Sequence, residues 1–238
     1  AGQLATGIYL CAGIPAYFGP GSAGGWRGGG LRLAFLLVVL TLLMIATALS
    51  LFHLRHPARA YRSLANLGRS WLSREILSLL LLMGTLGILA FCEWRRIGGP
   101  GLGRTLFVLG GWAGLLFLLT MSKLYMLSSV PAWNRLYTPL SFFLSSLSLG
   151  SLAGTLVAGI AGEKPALVGT LLLLSSVFVL ADIAASLLMT PVFGRSRYSP
   201  APSLRPPAAV SRSAQCFRLS ALTAGLVLTE IAIQTGKG

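Results

Sequence analysis

The chain has 238 residues, of which 55% are hydrophobic and 10% charged, with 19 Lys+Arg against 5 Asp+Glu for a formal net charge of +14. Soluble domains carry about 25% charged residues, so a water-soluble globule is excluded. The basic excess does not signal nucleic acid either, because the arginines and lysines sit in short segments between apolar runs rather than along one helix or stripe.

A helix needs roughly 20 apolar residues to cross a bilayer, and the chain offers such runs in series. The first covers Leu4 to Phe18 and ends in a Gly- and Pro-rich stretch, 19–30. It begins without a positive n-region, which argues for a span rather than a signal peptide. The second, Leu31 to Phe52, carries a single charge, Arg32. Ile76 to Cys92, Thr105 to Met126, Leu140 to Ala161 and Ala166 to Thr190 follow, the last with one acid, Asp182, in twenty-five residues. Pro191 to Cys216 is rich in Pro, Ser and Arg and reads as an exposed loop. Leu219 to Ile233 is a short final run. The expectation is an all-α, polytopic transmembrane helical bundle of seven spans. It forms one integral membrane domain over 1–238, with one or both ends clipped. No internal repeat is evident, which weighs against an inverted-repeat transporter.

Cys11, Cys92 and Cys216 lie far apart and form no C-x-x-C unit, so they supply no zinc or iron–sulfur ligand set. His53 and His56 are the only histidines. Three residues apart on one stretch, they cannot ligate opposite faces of one haem iron. No haem or metal is expected in this protein.

The most informative connector is His53 to Glu75, with five arginines, two histidines and one acid. On composition it is a solvated basic loop that fixes orientation. Position adds a second reading. His53 closes the second span and Glu75 opens the third, so antiparallel neighbours bring both to one membrane surface. Quinone reduction or quinol oxidation moves two electrons and two protons. It therefore needs hydrogen-bond partners for the ring oxygens and groups that carry protons. Histidine titrates near neutrality, and a partly desolvated carboxylate can be brought towards that range. Ionisable residues at this depth are functional candidates.

The same stretch reads H-L-x-x-P-x-R-A-Y-x-S-L-x-x-x-G-x-S-x-L-S-x-E, from His53 through Pro57, Arg59, Tyr61, Gly68 and Ser70 to Glu75. A second block reads P-x-W-x-x-x-x-T-P-x-x-F-F over Pro131, Trp133, Thr138, Pro139, Phe142 and Phe143. Together, in this order, they resemble the anchor subunit of dimethyl sulfoxide reductase. The stretch bracketed by the two blocks covers somewhat more than a third of the sequence, the pattern of apolar spans extends the likeness further, and nothing from Pro191 onward aligns.

The resemblance implies an eight-helix, haem-free membrane subunit. Such a subunit anchors a molybdopterin catalytic subunit and an iron–sulfur subunit in the inner membrane of a prokaryote, and it exchanges electrons with menaquinone or ubiquinone. By position His53 and Glu75 match the family's quinol-site pair, while Arg55 and His56 stand where the family has small residues. Arg59 and Tyr125 are further quinone-site candidates. Arg55, Arg62, Arg69, Arg74 and Trp133 are candidates for docking the partner subunits. For Tyr125 and Trp133 the plainer role is the aromatic belt at the lipid boundary, and for Arg59 it is a loop anchor. Asp182 and Glu230 allow a different class, a small transporter or ion-pathway protein, and a structural anchor without a quinone site is the third possibility.

Assigning alternate connectors to alternate sides places twelve Lys+Arg on the His53–Glu75 side. Seven lie opposite: Arg27, Arg32, Arg95, Arg96, Arg104, Lys164 and Lys237. The positive-inside rule then puts the His53–Glu75 side in the cytoplasm. That orientation matches sulfite-oxidising relatives with cytoplasmic catalytic subunits, although a basic docking face for an acidic partner gives the same excess.

Overall fold

The structure, a computed structural model, describes residues 2–18, 29–52, 64–126, 136–160 and 165–194. Six helices occupy them: α1 (Gly2–Phe18), α2 (Gly29–Phe52), α3 (Trp71–Arg95), α4 (Gly99–Tyr125), α5 (Tyr137–Ile160) and α6 (Pro165–Gly194). Each answers one of the first six apolar runs. Five of them, α2 to α6, are long and apolar enough to cross a membrane, and α1 has 17 residues. The expectation of seven spans is not confirmed, because the run Leu219–Ile233 lies outside the described residues. The all-α polytopic bundle holds.

Helix ends extend past the apolar runs for local reasons. Ser70 caps α3 by accepting from the Ser73 amide at 3.3 Å, so the helix starts at Trp71 rather than Ile76. At its other end Arg96 takes a left-handed conformation (φ 54°), and its amide and that of Ile97 close on the Glu93 and Cys92 carbonyls. Gly98 (φ 92°) and Gly99 (φ 60°) complete the reversal, and Pro100 opens α4 where a missing N–H costs nothing.

α3 and α4 form one antiparallel hairpin and α5 and α6 another, while α2 packs on α3. α1 sits between them, in contact with α2, α4, α5 and α6. Its neighbours approach unusually closely because small residues line the seams. A Cβ placed on Gly150 of α5 would run into the Gly7 carbonyl group, and one on Gly7 would run into the Ser146 carbonyl, both inside the 3.0 Å that real Cβ atoms essentially never breach. The Ser146 hydroxyl donates to the Gln3 carbonyl at 2.7 Å across the same seam. Against α4, Tyr9 donates to the Phe107 carbonyl at 2.9 Å, and the Phe107 ring lies 5.0 Å from Tyr17 and 4.9 Å from Tyr9. Phe35, Leu36, Val39 and Leu43 supply the buried stripe of α2. Their opposite-facing neighbours, such as Leu37, Met44 and Leu49, are exposed as lipid-facing side chains are.

Candidate functional site

The alternation of the helices brings Phe52 at the end of α2, Trp71 at the start of α3, Tyr125 at the end of α4 and Tyr137 at the start of α5 to one end of the bundle. Glu75 lies at that end, about 6 Å along the axis from the start of α3. It is half-buried, and among the described residues its carboxylate enters no ion pair. One turn deeper the Ser78 hydroxyl shares a hydrogen bond of 3.1 Å with Thr120 of α4, so a buried polar contact ties the two helices beneath Glu75. The Ser78 hydroxyl is also within hydrogen-bonding distance of the Glu75 carbonyl, and that of Thr120 of the carbonyls of Leu116 and Phe117, so one hydroxyl donates across the seam while the other donates to its own helix. These hydroxyls are therefore satisfied within the hairpin.

Arg74 is bound to its own backbone surroundings. Its Nε and Nη2 donate to the carbonyls of Leu67 and Gly68, both at 2.8 Å, and its guanidinium lies 4.4 Å from the Trp71 ring centre. It thus fixes the turn at residues 64–69 against the start of α3. Arg69 is exposed in that turn. Tyr125 is 46% exposed, with its ring 5.2 Å from Phe142 of α5. The structure therefore gathers Glu75, Tyr125, Arg69 and Arg74 at one end. His53, Arg55, His56, Arg59, Arg62 and Trp133 lie outside the described residues, as does Glu230. Asp182, on α6, is 1% exposed and engaged by its surroundings. Among the described residues no three His, Cys, Asp or Glu side chains group as metal ligands.

The sequence profile of the DMSO reductase anchor subunit (DmsC) family matches residues 2–196. The protein belongs to that family. It is 35% identical over 115 residues to a polypeptide of the anaerobic dimethyl sulfoxide reductase of Escherichia coli, an overlap of 48% of this sequence and 40% of that one. It is 32% identical over 111 residues to its namesake in the anaerobic dimethyl sulfoxide reductase of Haemophilus influenzae, covering 45% and 39% of the two sequences. It is also 33% identical over 132 residues to a subunit of the sulfite dehydrogenase of Allochromatium vinosum, covering 51% and 40%. The protein thus spans about two-fifths of the length of the curated relatives it matches. No solved structure matches it. As a member of an anchor-subunit family with five helices of membrane-spanning length, it is a multi-pass membrane protein.

A second cluster, at the far end of the bundle, was legible only as topology. Glu93 is eighteen residues beyond Glu75 on α3, about 27 Å away along the helix. There Arg32 Nη1 of α2 stands 3.7 Å from Glu93 Oε1. Tyr17, Arg96 and Arg104 join this pair around a cavity of about 370 Å³. In the sequence the three arginines counted only as orientation charges. A lone arginine opening one span and a lone acid closing its neighbour were the signal of a pair at matching depth.

Proposed function

We propose that the protein is the quinone-reactive anchor of a molybdoenzyme complex in a prokaryotic inner membrane, passing electrons between menaquinone or ubiquinone and a partner iron–sulfur subunit. The terminal chemistry belongs to a molybdopterin subunit. The observation that bears most weight is Glu75, a half-buried carboxylate without an ion pair among the described residues, at the end where α2 runs out next to His53.

The residues present suit a quinone headgroup. A bound quinone supplies two-electron, two-proton redox chemistry. The Glu75 carboxylate accepts a hydrogen bond from a ring hydroxyl and takes up its proton. His53 is the second proton carrier. The Ser78–Thr120 contact ties the α3–α4 seam below Glu75. Tyr125 offers a phenol donor at the rim, and Arg74 keeps the 64–69 turn in place beside the site.

Direct binding tests this reading. A water-soluble naphthoquinol analogue titrated into the assembled complex, followed by its fluorescence, should saturate for the wild type. Glu75→Gln should weaken binding about tenfold, the loss expected for one charge-assisted hydrogen bond. Equal affinity in the two proteins overturns the assignment.

The charge bias supports one orientation in particular. With twelve Lys+Arg on the Glu75 side, that side is cytoplasmic, as in a complex whose catalytic subunits face the cytoplasm, and the likeness to a sulfite dehydrogenase subunit agrees with a sulfite-oxidising role. A cysteine placed in the Arg197–Arg212 segment should then resist labelling by an impermeant maleimide from the periplasm. Labelling of intact cells contradicts it.

A further inference from the structure

The cavity at the far end holds two buried donors that find no acceptor among the described residues. Tyr17 is 2% exposed, and its hydroxyl stands beside the Glu93 carboxylate without reaching full hydrogen-bonding geometry to it or to any other acceptor among the described residues. Arg32 Nε is likewise buried without an acceptor. Buried polar groups are seldom left so, and both residues line the same cavity.

The charge of the lining narrows what could supply acceptors. Three arginines, Arg32, Arg96 and Arg104, face one carboxylate, Glu93. Arg104 already donates from Nε to the Tyr17 carbonyl at 3.1 Å. Even with Arg32 and Glu93 paired, the cleft keeps a positive excess, so an anion suits it and a neutral acceptor leaves the charge uncompensated. Basic pockets between membrane helices are suited to anionic headgroups.

Position supplies the rest. The cavity lies where α1 and α3 end and α2 and α4 begin, at the boundary of the spans. Leu89, Ile97 and Pro100 make its apolar wall. Ile97 is 52% exposed and Trp94, on the last turn of α3, is 64% exposed. Such an aromatic marks the lipid boundary, and apolar chains leaving the cleft would run along the exposed face below it. A volume of about 370 Å³ accommodates a small polar headgroup.

We propose that this cleft binds the phosphate of an anionic lipid headgroup. Arg32 and Arg96 hold the phosphate oxygens, and the Tyr17 hydroxyl donates to one of them. The inference does not depend on quinone binding at the Glu75 end, and its readout involves no turnover.

The test uses the full-length protein, delipidated in detergent and titrated separately with short-chain phosphatidylglycerol, short-chain phosphatidylcholine and inorganic phosphate. Bound molecules are counted by native mass spectrometry. The expected result is retention of phosphatidylglycerol in preference to phosphatidylcholine. Tyr17→Phe and Arg96→Gln should each weaken it about fivefold, as for one basic contact at a membrane surface. Arg96 is exposed at a helix end, so Arg96→Gln reports on the site even if Tyr17→Phe disturbs the packing around Phe107. Inorganic phosphate that binds with the same sensitivity to both variants, without preference for the lipid, supports the phosphate site and assigns it to a soluble anion. Equal binding of the two lipids, or phosphatidylglycerol affinity indifferent to both variants, overturns the proposal.

Discussion

Glu75→Gln and His53→Ala are expected to lower quinone-linked turnover of the assembled complex by about 10²-fold or more, the usual contribution of a positioned proton-transfer group, while activity with artificial dyes is retained. The split is the decisive feature. If the proposed iron–sulfur partner is present, dyes can exchange electrons with it directly and bypass the membrane site. Glutamine keeps the size of Glu75 and a hydrogen-bonding oxygen, and it removes the negative charge and with it the ability to take up a proton. The Ser78–Thr120 contact beneath it does not involve the carboxylate, so the α3–α4 hairpin should survive the change. Parallel loss of both activities would mean failed assembly, and retention of both would leave a passive anchor.

Gly150→Ala is expected to destabilise the bundle by about 3 kcal/mol or more, at the upper end for overpacking, because the added methyl meets backbone rather than a movable side chain. Its Cβ would overlap the carbonyl carbon, carbonyl oxygen and Cα of Gly7. Only separation of α1 from α5 relieves that, and it takes the Ser146–Gln3 hydrogen bond with it. Gly87→Ala on α3 is the control, since nothing lies within 4 Å of a Cβ there. It should be neutral or stabilising by up to about 1 kcal/mol through helix propensity. Denaturation by titrated detergent, followed by circular dichroism, compares the two. Similar midpoints for both variants would mean that α1 and α5 do not touch at this seam.

The spans were legible because a bilayer imposes length and apolarity on each one separately, and these properties survive in a linear reading of Leu31–Phe52 or Ala166–Thr190. Their ends were less so. The run Thr105–Met126 is entered six residues earlier as α4 because Gly99 and Pro100 belong naturally in a first turn, although composition marks them as breakers. Which helices touch was not legible at all. Gly7 and Gly150 form a seam, whereas Gly84 and Gly87 face open space, and the letters alone do not distinguish them. At the candidate site, Glu75 and its side of the bundle followed from its place beside the third run. The internal role of Arg74, tied to Leu67 and Gly68, did not. The cleft around Tyr17 escaped because it is assembled from the ends of four helices.

The central place of α1 bears on how the protein is made. Gln3 and Ser146 meet across 143 residues of sequence, and at ribosomal rates of about 5–20 residues per second this partner of α1 arrives roughly seven to thirty seconds later. Until then a helix with buried Thr6, Tyr9 and Tyr17 has only α2, then α4, to shield it from acyl chains. Biogenesis of the bundle is therefore a waiting problem: α1 emerges long before α5, the helix it meets at the Gly7–Gly150 seam, and whatever holds it in the interval becomes part of its folding.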